Sequence, residues 1–109
     1  MAISSLLLVA TGTGSNAAAE PVATNSFLKL SHEERYWWIH GAVMTMAHLV
    51  AIGDQRKGDC VAKWYRGARE ARQKLIEDTL EKYPSESATT IVISLLTQAC
   101  GELIPAAAR

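Results

Sequence analysis

An all-α fold, a small antiparallel helical bundle of three main helices with one disulfide, is predicted by three observations. Apolar residues recur at three- and four-residue intervals from Phe27 to Cys100, a capping box opens the longest of these stretches, and the short chain carries an even pair of cysteines. No segment alternates apolar and polar residues as a half-buried strand would. With 109 residues, the chain is long enough for one domain and too short for two. Its 11 basic and 11 acidic side chains balance, which argues against a dedicated nucleic-acid binder.

Residues 1–19 contain no charged side chain, and an apolar run from Ile3 to Ala10 is followed by small residues ending in Ala17, Ala18 and Ala19. This pattern reads as a secretory signal peptide with a small-x-small cleavage site before Glu20, although it has no Lys or Arg ahead of its apolar run. The run is too short to span a bilayer, and no later stretch is long and apolar enough to do so. An exported protein without a membrane span is therefore expected. Residues 20–26 (EPVATNS) carry a proline and no period, so they read as a flexible leader to a helical domain over 27–109. Phe27, Leu28 and Leu30 are expected to form a short turn tucked under the first long helix.

That first long helix is the centre of the chain. Ser31 followed three residues later by Glu34 makes a capping box, which starts the helix near His32. Gly53 is expected to close it in the left-handed conformation, ahead of a polar loop, Asp54 to Asp59. At about 100° per residue, Tyr36, Ile39, Ala42, Val43, Met46, Leu49 and Val50 share one face, the expected core stripe. Trp37, Gly41, Met44 and His48 share the opposite face. Three explanations stand for this second stripe: the helix is sandwiched between neighbours, the stripe is a dimer or partner interface, or it is ordinary exposed apolar surface.

From Val61 to Tyr83 the helical period resumes, weakened at Gly67, until Pro84 stops it. Ser85 or Ser87 caps a third helix whose apolar stripe, Ala88, Ile91, Val92, Leu95, Leu96 and Ala99, ends at Cys100 and Gly101. Leu103 and Ile104 form an apolar hook in the tail. An even cysteine count in a small exported domain reads as one disulfide, Cys60 to Cys100. Closing a loop of about 40 residues contributes on the order of 4 kcal/mol in the chain-entropy picture.

Chemistry finds no motif. His32, His40 and His48 are spaced by eight residues on one helix, so each points roughly 80° away from the last and the three do not converge on a metal. There is no nucleophile elbow, phosphate loop or CxxC pair, and Glu33 and Glu34 are accounted for by the helix start. The expectation is a non-enzymatic protein with no cofactor and no metal. More informative is the charge distribution: from Arg56 to Lys74 seven positive side chains face two negative ones, and then Glu77, Asp78, Glu81 and Glu86 reverse the sign. This order opposes the helix dipole, so it reads either as a solvated face or as a docking patch for an acidic partner, with Arg66 and Arg69 as its candidates.

Tyr36 to Ala42 (YWWIHGA), the loop Cys60, Leu80 to Pro84 (LEKYP) and Ile93 to Cys100 (ISLLTQAC) together resemble the Rap/Tai family of periplasmic immunity proteins of type VI secretion. The chain departs from that family after Cys60, where VAKWYRG stands in place of a proline and a short turn. The resemblance implies inhibition of a secreted cell-wall amidase by direct binding. A second resemblance, to the HdeA-type acid-stress chaperones, rests on Phe27 to Leu30 (FLKL), Trp38 to Gly41 (WIHG) and Gln98 to Cys100 (QAC). It implies binding of unfolded clients in acid, but that family's first cysteine precedes the FL segment, where this chain has Ser26. Either way the expected partner is a protein, with a homodimer as a further possibility. The candidate binding residues are Trp37, Gly41, Met44, His48, Arg66 and Arg69.

Overall fold

The computed structural model describes residues 23–103, in which five helices follow one another: α1 (Thr24–Phe27), α2 (His32–Gly53), α3 (Gln55–Gly67), α4 (Arg69–Lys82) and α5 (Ala88–Cys100). The expected signal peptide and Ile104 lie outside the described residues. Among these residues the only extended pairing is an isolated bridge between Ala23 and Ser87. The fold is all-α, and its helices are joined by a Cys60–Cys100 disulfide with a Cα–Cα distance of 5.9 Å.

The end of the leader is tied down. Thr24 is buried, and both its backbone N–H and its hydroxyl donate to the Glu86 carbonyl, at 3.1 and 2.7 Å. Phe27 is also fully buried and meets Trp38 edge-on at 5.2 Å. Arg35 folds back from α2, donating to the Leu30 carbonyl at 3.1 Å and to the Leu28 carbonyl, with its guanidinium over the Phe27 ring. Buried threonine and phenylalanine and a guanidinium clip outweigh the entropy that the expected flexible leader would retain.

The capping box forms as expected: Ser31 Oγ accepts from the Glu34 N–H at 3.1 Å, and Glu34 Oε1 accepts from the Ser31 N–H at 2.8 Å. The other end of α2 differs from expectation. Gly53 has no positive φ, and the helix stops because Asp54 turns extended at φ −151°. Asp54 does so in order to cap the next helix, its Oδ1 accepting from the Lys57 N–H at 3.2 Å. The stretch Asp54 to Asp59 is therefore not a loop but the cap and first turn of α3. Gly58 in it is buried where α3 crosses α2. A Cβ there would stand 2.4 Å from Ala51 Cβ and 2.7 Å from the Ala47 carbonyl oxygen.

The expected second helix is two. At Ala68, φ −152° and ψ 57° break the ladder, and the Trp64 carbonyl at the end of α3 is satisfied from α4 by Arg72 Nε at 3.0 Å. The same guanidinium lies 4.6 Å from the Trp64 ring centroid. α4 ends before Pro84, Ser87 caps α5, and Gly101, at φ 85°, closes it.

Ile39, Val43, Ala47 and Val50 of α2 form the core with Val61 and Tyr65 of α3, Ile76 and Leu80 of α4, and Ala88, Ile91, Val92 and Leu96 of α5. Phe27 and Leu103 close it near either end of the described residues, so the expected hook is realised at Leu103. Leu49, expected in the core stripe, is instead 58% exposed, because the buried face of α2 is centred on Val43 and Ala47 and Leu49 falls at its margin.

Candidate functional site

Because α2 packs on the rest of the molecule along one side, its other side is left to solvent. On it Trp37 is 58% exposed, Ile52 is 84% exposed, and Gly41, Thr45 and His48 lie between them, all exposed. Met44 is half-buried, its side chain packed against the edge of the core. The second stripe thus exists as a surface, with Met44 at its border. α2 is not sandwiched between neighbours along this face. A Cβ on Gly41 would meet nothing within 4 Å, so no internal packing demands a glycine there.

The N-terminal part of this face is built by aromatic rings. Trp37 stands edge-on to Tyr36 at 5.0 Å and to His40 at 5.6 Å, and Tyr36 stacks on His40 at 6.2 Å. His40 Nδ1 lies 3.2 Å from the hydroxyl of Tyr65, whose side chain is fully buried. Gln73 of α4, also buried, donates from Nε2 to that hydroxyl at 2.7 Å and to the Tyr36 carbonyl at 3.1 Å. Burial pushes the Tyr65 phenol above its usual range, partly opposed by the Gln73 hydrogen bond. The network fixes the rings through neighbours on α3 and α4, so Trp37 is presented from a braced support.

Basic residues adjoin this end. Arg69 Nη1 donates to the Tyr36 hydroxyl at 3.3 Å, a contact that raises the guanidinium's pKa further. Arg66, in the last turn of α3, is exposed. The structure therefore joins two features that are separate in sequence, the aromatic start of α2 and the cationic junction of α3 with α4. His48 lies elsewhere, about three turns along α2 from Trp37, and does not take part. At the far end of α2, Met46, Leu49, Val50, Gly53 and Leu103 line an apolar groove bordered by Asp54 and Lys57. Lys57 reaches across it to the Glu102 carbonyl.

Four participants escaped the reading of the sequence. His40, read in the sequence only as unable to join a metal site, is half-buried against Tyr65, and Gln73 carried no expectation at all. A glutamine three and seven residues ahead of the buried Ile76 and Leu80 is in phase with an apolar stripe, and that phase was its signal. Ile52 and Leu49 extend the exposed face beyond the expected stripe. Among the described residues, no group of three His, Cys, Asp or Glu side chains is placed to hold a metal ion, and no helix is long and apolar enough to cross a membrane. No protein-family model, curated protein or solved structure matches the chain.

Proposed function

We propose that this chain is a protein-binding domain that docks a partner on the aromatic and cationic end of α2. It acts by occupying that partner, not by catalysis. The observation that carries this reading is Trp37: a large indole 58% exposed, held edge-on by Tyr36 and His40, with Arg69 fixed beside it through the Tyr36 hydroxyl. Indole and guanidinium side chains dominate binding energetics where they are pre-oriented, because little rotamer entropy remains to be lost. Arg69 adds a fixed cation beside the indole, ready to pair with an acidic group of the partner.

The finer reading is an exported immunity protein of the periplasm, neutralising a secreted cell-wall amidase. It is supported by the disulfide, which belongs to an oxidising compartment, by the charge-free apolar N-terminus, and by the order of motifs from YWWIHGA to ISLLTQAC. Affinity purification from an envelope extract, followed by an amidase assay on purified peptidoglycan, tests it. The expected result is an equimolar complex with an amidase whose activity is lost. Trp37→Ala should weaken that complex by about thirtyfold or more, as truncation of a buried interface tryptophan does. Recovery of no amidase, with hydrolase activity untouched by added protein, would overturn the finer reading.

A further inference from the structure

Between the start of α2 and α4 lies a polar cleft of about 540 Å³ that shares Tyr36 and Gln73 with the aromatic end. His32 and Tyr36, one turn apart, form its α2 wall, and Glu70, Gln73 and Glu77 form its α4 wall. Seven residues carry a helix to within about 20° of two full turns, so Glu70 and Glu77 lie on one face of α4, about 10 Å apart along its axis. Glu77 is half-buried and Glu70 is exposed, and among the described residues neither carboxylate has a hydrogen bond or an ion pair. The cations nearby are already engaged. Lys74 donates to Asp78 at 2.9 Å, and Arg69 is held at the Tyr36 hydroxyl.

Gln73 sits between the two acids and is only 8% exposed. Both hydrogens of its Nε2 are used, one on the Tyr36 carbonyl at 3.1 Å and one on the Tyr65 hydroxyl at 2.7 Å. A backbone carbonyl can only accept, so the amide cannot be turned round without losing that bond. Its Oε1 is therefore the group left to the cleft, and among the described residues nothing donates to it. A buried amide oxygen in that state carries a desolvation cost that a donor would remove. Neither flanking carboxylate can supply one.

We propose that this cleft binds a linear polyamine, with ammonium groups on the Glu70 and Glu77 carboxylates and an N–H between them donated to Gln73 Oε1. A chain suits the site better than a compact ion. The two acids do not converge, and among the described residues no three acidic or histidine side chains are placed to hold a metal. Glu70, Glu77 and Asp78 against Lys74 make three negative charges and one positive, so the lining has two negative charges to be neutralised. The Tyr36 ring beside them offers a face that attracts a cation and covers its methylenes. The site needs no protein partner, and its test uses the chain alone.

Titration of the full chain, disulfide intact, with spermidine at low ionic strength tests the proposal, read by calorimetry and by the Gln73 side-chain amide signal in nitrogen-15 spectra. The expected result is saturable one-to-one binding that shifts that signal. Glu77→Gln should weaken it by at least about tenfold, the worth of one charge-assisted hydrogen bond. Should Glu77→Gln lose its helical circular dichroism, Glu70→Gln replaces it at an exposed position. Asp59→Asn removes the same charge from exposed α3 and should leave the affinity within about twofold. Neighbouring lysine side chains of a basic peptide carry the same chemistry as a free polyamine, so trilysine is titrated alongside, and the tighter ligand identifies the source. No saturable binding of either, binding indifferent to Glu77→Gln and Glu70→Gln, an unmoved Gln73 amide, or Mg²⁺ bound as tightly as spermidine would each overturn the proposal.

Discussion

The two sides of α2 use glycine in opposite ways. On the inner side Gly58 of α3 is present because nothing larger fits: Ala51 and the Ala47 carbonyl occupy the place of its Cβ. On the outer side Gly41 is surrounded by open space. The inner side carries Ile39, Val43, Ala47 and Val50, all buried, and the outer side carries Trp37 and Ile52, both largely exposed. A helix apolar all round normally lies in the middle of a protein. Here one apolar side is used for folding, and the other is left to solvent.

Substitutions that break this contrast should differ in size and in sign. Ile39→Ala removes a fully buried side chain from the inner side and should cost about 2–5 kcal/mol, measured as a fall in urea midpoint at unchanged slope. Gly58→Ala should cost about 1–3 kcal/mol by forcing α3 away from α2, an overpacking effect visible in the same titration. Gly41→Ala should go the other way, raising stability by up to about 1 kcal/mol through helix propensity alone, while it weakens any contact made across the outer side. If Gly41→Ala destabilised the fold, the outer side would have an internal packing role and the contrast would fail.

The smallest effect expected is that of pH on the helix that carries both sides. The Ser31 backbone N–H, donated to Glu34, together with the Ser31 hydroxyl, holds that carboxyl below its usual range. Its folded-state pKa is therefore lower than its unfolded one. The stabilisation is present above the unfolded value and is lost as pH falls through the folded one. Glu34→Gln keeps an acceptor for the Ser31 N–H and should flatten this part of the pH profile, as followed by thermal unfolding at graded pH.

What was legible in the sequence divides along physical lines. The capping box at Ser31 and Glu34, the stops near Pro84 and Gly101 and the pairing of Cys60 with Cys100 are local or combinatorial signals, and each is found in the structure. The start of α3 was missed because Asp54 to Asp59 is polar and contains a glycine, which resembles a loop until its close approach to Ala47 and Ala51 is known. The break at Ala68 was foreshadowed only by Gly67, since the contact that stabilises it, Arg72 on Trp64, is made across the junction of two helices. Trp37, Gly41 and His48 share the face opposite the core, as their spacing requires, and of the explanations that spacing left open the structure removes the sandwiched one, since all three are exposed. The brace behind Trp37 was invisible because it joins α2 to Tyr65 and Gln73, more than twenty residues away.

The disulfide joins the middle of α3 to the last residue of α5, forty positions on, so α3, α4 and α5 belong to one covalent ring while α2 enters it from outside. Lys82, exposed at the end of α4, lies on that ring. A protease cutting after it would open the ring without dividing the molecule, and the fragments would part only once a reductant had acted. Protein cut at that one bond and nowhere else should accordingly keep its mass, one added water apart, on a non-reducing measurement and fall into two pieces on a reducing one. To a protease, the half of the domain that never touches the outer face is a loop already tied shut.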